Sequence, residues 1–260
     1  MMSISTITGW IFAAAVLVTA VVTSTDNYWL FVSLSSFLIV LGGTSTAALI
    51  SYSYPLFFRA IQAVLKSLFD GKNETKLKHS SILRSIEWNK VYRTDGIAGL
   101  ENSLSEKEQK DPFISMAIEL LGTGYKGKEL HALLMESNES QRAREAQPAN
   151  VLSTMANFSP AFGMIGTLVG LIVMLDSLDG DMATMGKGLA IALLTTLYGT
   201  LMAQVFFKPS AINVRRKSDE NYHRREMQIK AFVMMTEKQP DLHIKDSMNC
   251  YLPPKKRLES

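Results

Sequence analysis

Interior charge, cysteine and metal-ligand clusters are what this sequence has little of. A single cysteine, Cys250, excludes an internal disulfide, and no Cys or His cluster has metal-ligand spacing among the 4 histidines, so no metal site and no cofactor are expected. No stretch alternates like a strand, no repeat period emerges and no low-complexity run occurs. The most informative absence is of charge. Residues 4–22, 30–50, 151–175 and 188–207 contain no Asp, Glu, Lys or Arg. Each is near the ~20 residues that a helix needs to cross a bilayer. A soluble domain would interleave its charges with its apolar positions. The pattern predicts an all-α membrane protein with four transmembrane helices and a large helical cytoplasmic domain between the second and third. The first stretch has no basic region before it and no small-x-small cleavage site leading into a secreted domain, so it reads as a helix, not a signal peptide.

The charges that are present are sorted by position. Of 27 Lys and Arg, 14 lie between Arg59 and Arg144, 12 lie from Lys208 onward, and only Lys187 lies elsewhere. Basic residues mark the cytoplasmic side because they are poorly translocated. The short connections 23–29 and 176–187 carry Asp26, Asp176, Asp179 and Asp181. They are therefore expected outside, and both termini in the cytoplasm. The expected organisation is a transmembrane hairpin (1–52), a cytoplasmic helical domain (53–149), a channel-lining hairpin (150–208) and a cytoplasmic tail (209–260). The net charge of +3 is then a topology signal. Membrane lipid, and not nucleic acid, is the expected environment.

Periodicity organises the cytoplasmic parts. Phe57, Ile61, Val64, Leu65 and Leu68 recur at helical spacing with Arg59, Gln62 and Lys66 between them, which predicts an amphipathic helix along the inner membrane face, stopping at Asp70-Gly71. ILRSIEWNKVYR, DPFISMAIELLGTG and KGKELHALLMESNESQRAREA predict a small helical domain, with Pro112 in a first turn and Gly122 and Gly124 at a helix stop.

The third and fourth uncharged stretches carry polar atoms of another kind. Asn157, Pro160, Met164, Thr167 and Leu171 share one helix face, and Gly163, Gly166 and Gly170 offer close approach to a neighbour. Ala192, Thr195 or Thr196, Gly199 and Ala203 form a similar stripe, followed by Lys208-Pro209 at the inner boundary. Adjacent threonines point ~100° apart, so Thr195 and Thr196 cannot both face one axis. If ions pass here, the acid comes from another chain, because none of the four stretches holds an Asp, Glu, Lys, Arg or His. Hydroxyl and carbonyl oxygens suit a hard cation such as sodium better than protons alone. An intramembrane enzyme is not expected: His79, His131, His223 and His243 all lie outside the stretches, and no serine in them has a nearby base.

NFSPAFGMIGTLVGLIVML followed by GLAIALLTTLYGTLMAQVFFKP resembles the third and fourth membrane helices of the flagellar motor stator family, the MotA/PomA proteins. LIVLGGT in the second stretch and YRTDGIAGLE in the cytoplasmic segment extend the resemblance along the chain, although Thr94 stands where a basic residue is common. The resemblance implies five copies around two MotB/PomB-type single-span subunits that supply the ion-binding aspartate. It implies that Pro160 and Pro209 couple conformation to rotation, and that Arg93 and Glu101 contact the rotor switch protein FliG. Threonines at 167 and 195 are typical of sodium-driven members, whereas Thr196 is also kept in proton-driven ones. Na+ is the expected transported cation, with H+ the alternative. An ExbB/TolQ-like proton-channel energizer of outer-membrane processes is the alternative function, although those relatives have three spans.

Overall fold

A computed structural model describes residues 4–69, 74–176 and 182–258, and every regular element among them is helical. The expected stop at Asp70-Gly71, the acidic positions Asp179 and Asp181 and the side chain of Leu68 lie outside the described residues. Three helical stretches are long and apolar enough to cross a membrane, Tyr28–Ser51, Gly127–Asp176 and Met182–Thr236. A further apolar helix, α1, covers Ile4–Ser24.

The chain forms two compact units. The first takes residues up to 71 together with 146–215, and the second takes 72–145 together with 216–260. In the first, α1 is followed by a single 3-10 turn, Tyr28–Phe31, and by α2 over residues 34–51. Ser33 caps α2, its hydroxyl accepting the Ser36 N–H at 3.3 Å. A wide π turn, Leu38–Gly42, interrupts α2, and Tyr52 ends it in extended conformation. α3, Tyr54–Phe69, begins two residues later. Here the structure departs from the expected single apolar face: Phe57 and Val64 are buried together with Ala60, while Ile61 and Leu65 stay exposed. The core of this unit packs Ala48, Phe57, Ala60 and Val64 against Val151, Leu152, Met155, Phe207 and Ala211. Trp10 of α1 stacks on Phe206, with ring centroids 5.3 Å apart.

The second unit is built on α4, Glu74–Asn102, which is broken at Gly96, and on α5, Glu106–Gln109, and α6, Pro112–Gly122. Asp111 caps α6, accepting the Phe113 N–H at 3.0 Å, and Pro112 occupies the first turn, where its missing donor costs nothing. The end of α6 is a Schellman motif. Tyr125 N–H reaches Leu120 C=O and Gly124 N–H reaches Leu121 C=O, both at 3.1 Å, with Gly124 at φ 95°. α7 follows as one long helix, Gly127–Asp176. α8 runs over 182–236, with a second π turn at Met202–Phe207, and α9 is Asp241–Asn249. Trp88 stacks on Phe232 at 5.5 Å in a core that includes Ile82, Leu100, Phe113, Leu130 and Ile244. Beside it Arg225, only 5% exposed, donates to Asn138 Oδ1 at 2.8 Å and to both carboxylate oxygens of Glu145 at 2.7 and 3.1 Å. A buried guanidinium is tolerable because its donors are taken up in this way.

α8 ends in a second Schellman motif, Gln239 N–H to Met234 C=O and Lys238 N–H to Met235 C=O, both at 3.0 Å. The left-handed position is occupied by exposed Lys238, at φ 57°. A Cβ there is unfavourable, whereas glycine is not. Lys238→Gly should stabilise the second unit by roughly 0.5–1 kcal/mol, read as a rise in melting temperature of about 2 °C, while Gly124→Lys should lower it.

Candidate functional site

α7 and α8 touch backbone to backbone. A Cβ built on Gly163 would lie 2.9 Å from Thr195 O, and one on Gly199 would lie 2.7 Å from Ser159 O. Further along, Gly170 would meet Ala192 N at 2.5 Å and Gly188 would meet Met174 N at 2.7 Å. Gly166 faces the Thr195 side chain, and a Cβ on it would lie 2.4 Å from Thr195 Cγ2. Gly163, Gly166, Gly170 and Gly199 therefore all sit in this contact, joined by Gly188, which the sequence pattern did not single out. Real Cβ atoms never come this close, so the helix spacing depends on the missing side chains.

That spacing sorts the threonines. Thr195 is fully buried, and its hydroxyl is taken up within its own helix by the carbonyls of Ile191 and Ala192, both at 2.9 Å. Thr167 Oγ1 lies 2.6 Å from Thr196 Oγ1, across the two helices, 3.1 Å from Gly163 O and 3.2 Å from Ala192 O. Thr167 is half-buried and Thr196 exposed. Four oxygens from two helices thus meet at the Thr167–Thr196 pair, while Thr195 packs behind it.

The prolines interrupt the same region. α7 continues through Pro160, which leaves the Ala156 carbonyl without its usual donor one turn away. In α8 the π turn ends at Lys208, whose N–H reaches back five residues to Ala203 O, and Pro209 follows at once. Widening the turn there makes room for a ring that would crowd a regular helix. Next to each proline is a buried serine hydroxyl, Ser159 or Ser210, with no hydrogen-bond partner. Tyr198, one turn from Thr195, donates its hydroxyl to Phe31 C=O and accepts Ser33 N–H at 3.1 Å, closing the backbone break ahead of α2.

Arg93 and Glu101 are both exposed and lie on either side of Gly96. Gly96 adopts φ 68° and ψ −155°, a region essentially reserved for glycine, so the chain turns sharply between the two charges. The corner is then clamped. Arg84 donates to both Glu108 oxygens at 2.9 and 2.8 Å and to Ser103 C=O at 2.6 Å, and the same carboxylate accepts Ser105 N–H at 2.8 Å. Burial pushes the Glu108 carboxyl upward, but the Arg84 fork and the Ser105 donors outweigh it and hold the group below the usual carboxylate value.

Residues 105–227 match the MotA/TolQ/ExbB proton channel family. The chain is 32% identical over 225 residues to the chemotaxis protein PomA of Vibrio alginolyticus, covering 86% of this chain and 85% of that one. The chain belongs to the MotA/PomA family. It is also 31% identical to motility protein A of Cereibacter sphaeroides, over 88% of this chain and 87% of its relative. Its fold is that of the C. jejuni MotAB structure, with a TM-score of 0.85 and 22% identity over the whole of both chains. MotA/PomA proteins are ion-channel components and not enzymes.

In this MotA/PomA chain the glycine contact and the Arg84 clamp are open to separate tests. Gly170→Ala forces a methyl onto backbone atoms and should cost about 1–3 kcal/mol or more. Gly186→Ala in the facing helix α8, where nothing lies within 4 Å, should be neutral or stabilising. Thermal melting of the purified variants separates them. For the clamp, the sign follows from a lowered carboxyl: its stabilisation is complete above the ordinary value of 4.5 and is lost as pH falls through the lower folded value. The melting-temperature gap between wild type and Glu108→Gln should therefore stay constant above that pH and close below it.

Proposed function

We propose that this chain is the ion-conducting stator subunit of a bacterial flagellar motor, with sodium the coupling ion in preference to protons. The observation that carries the reading is the Thr167–Thr196 pair, an oxygen cluster formed across two tightly packed helices whose apolar stretches contain no Asp, Glu, Lys, Arg or His. A sodium ion leaving water must recover several oxygen contacts, and hydroxyls with backbone carbonyls supply them without a proton-binding group. The missing negative charge comes from a MotB/PomB-type partner helix carrying an aspartate. Five copies of this chain around two such partners is the arrangement the family implies, and exposed Met164, Leu168 and Ile172 on α7 leave apolar surface for those neighbours.

In this reading α1 joins the other three apolar helices as a fourth membrane crossing in the inner membrane, and both termini are cytoplasmic, on the side where the basic residues collect. Pro160 and Pro209 are the coupling positions. Each adjoins a buried serine hydroxyl without a partner, an imbalance worth about 1–3 kcal/mol that a change of helix geometry during ion transit would relieve. Arg93 and Glu101, displayed around the Gly96 corner, are the charges offered to FliG. An ExbB/TolQ-like role is disfavoured by the fourth apolar helix and by this corner.

The test is swimming speed of a stator-less strain expressing the chain with its partner, as sodium is replaced by potassium at fixed pH. Speed should fall with sodium and return with it. Thr167→Ala and Thr196→Ala should weaken sodium use more than Thr195→Ala, and Pro160→Ala should assemble without rotating. Speed that ignores sodium and collapses with a protonophore makes the chain a proton-driven stator, and the hydroxyl pair a packing feature.

A further inference from the structure

α3 carries two apolar stripes, and only one of them has a protein partner. Phe57, Ala60 and Val64 are 6%, 0% and 4% exposed in the core of the first unit. Tyr54, Phe58, Ile61 and Leu65, spaced one turn apart, are 67%, 43%, 41% and 53% exposed. At ~100° per residue this second stripe fills one narrow sector of the helix. The exposed side chains of Arg59, Gln62 and Lys66 fill the sector beyond it, away from the core. Among the 16 residues of α3 there is no Asp or Glu.

An apolar stripe bordered by cations and no anions matches an interface between acyl chains and negatively charged headgroups. The position of the helix agrees: only two residues separate the end of α2 from the start of α3, and nearby Ile50 is 83% exposed on α2. We infer that α3 is a binding surface for anionic phospholipid, with Tyr54, Phe58, Ile61 and Leu65 in the acyl boundary and Arg59 and Lys66 on the headgroups. The inference rests on the orientation proposed above, which brings the end of α2 to the inner leaflet. It adds that the helix is selective for the charge of that leaflet.

Two measurements on the full chain with its partner test it. Spin labels placed singly at Phe58, Ile61 and Leu65 in a Cys250→Ser background should be accessible to oxygen dissolved in the acyl region. Labels at Arg59, Gln62 and Lys66 should be accessible to a water-soluble relaxant. Labels at the first three positions that are immobilised and shielded from both reagents would make the stripe a contact with a second copy and overturn the inference. In neutral detergent, phosphatidylglycerol retained by the complex in native mass spectrometry should fall about fivefold for Arg59→Gln or Lys66→Gln and about twenty-five-fold for both. Phosphatidylcholine should be unaffected, and inorganic phosphate should not compete. Equal retention of phosphatidylglycerol by wild type and the double variant would also overturn it. Neither readout involves torque, so a chain that fails to drive motility but shows this pattern supports the lipid surface while sinking the stator reading.

Discussion

The close backbone contact between α7 and α8 is the constraint on which the candidate site depends. In a bilayer no hydrophobic force drives one apolar helix onto another, so association rests on packing and a few polar bonds. Gly163, Gly170, Gly188 and Gly199 let the two backbones meet at distances that any side chain would forbid. Once they meet, Thr195 is enclosed over Gly166 and Thr167 is brought to Thr196. The threonines do not create the contact; the contact assigns them their roles.

Polar groups are handled by different devices in the two units. Inside an apolar helix pack a backbone group without a partner has no water to fall back on. In the first unit the break ahead of α2 is closed by a group within the chain, Tyr198, which takes both the Phe31 carbonyl and the Ser33 amide, and the Tyr52 and Thr154 hydroxyls satisfy each other at 2.8 Å. Wide turns absorb the irregularity before Gly43 and before Pro209. The exceptions are the Trp10 indole nitrogen and the hydroxyls of Thr44, Ser159 and Ser210, which are buried without partners. In the second unit, by contrast, helix ends use Asp111 and two Schellman turns, the ordinary devices of a water-facing fold. Charges there are fixed by forked pairs, Arg84 with Glu108 and Arg225 with Glu145.

Several elements were legible because their cause is local. Uncharged runs marked the apolar helices, Asp111-Pro112 marked the start of α6, and Gly124 marked its end through a left-handed backbone. The glycine and threonine spacing also pointed to the right pair of helices. What it did not resolve was the threonine that meets Thr167, because helical spacing constrains a face only to within about one residue step of ~100°. Gly188 and Tyr198 carry no signal of their own in a run of apolar and small residues. Arg84 and Glu108 look like surface charges until the turn at Gly96 brings them together.

The sequence by itself determined the helical class, the apolar helices, the sorting of charge along the chain and the family. Each of these follows from composition and from spacing within a few turns, where backbone geometry is fixed in advance. Tertiary structure alone decided that Thr196, not Thr195, joins Thr167, and that the apolar residues of α3 divide into a buried and an exposed stripe. It also decided that residues 216–260 join the segment 72–145 in one compact unit. These are contacts between residues far apart in the chain. Their geometry depends on how closely two particular backbones can approach, and no local pattern encodes that distance.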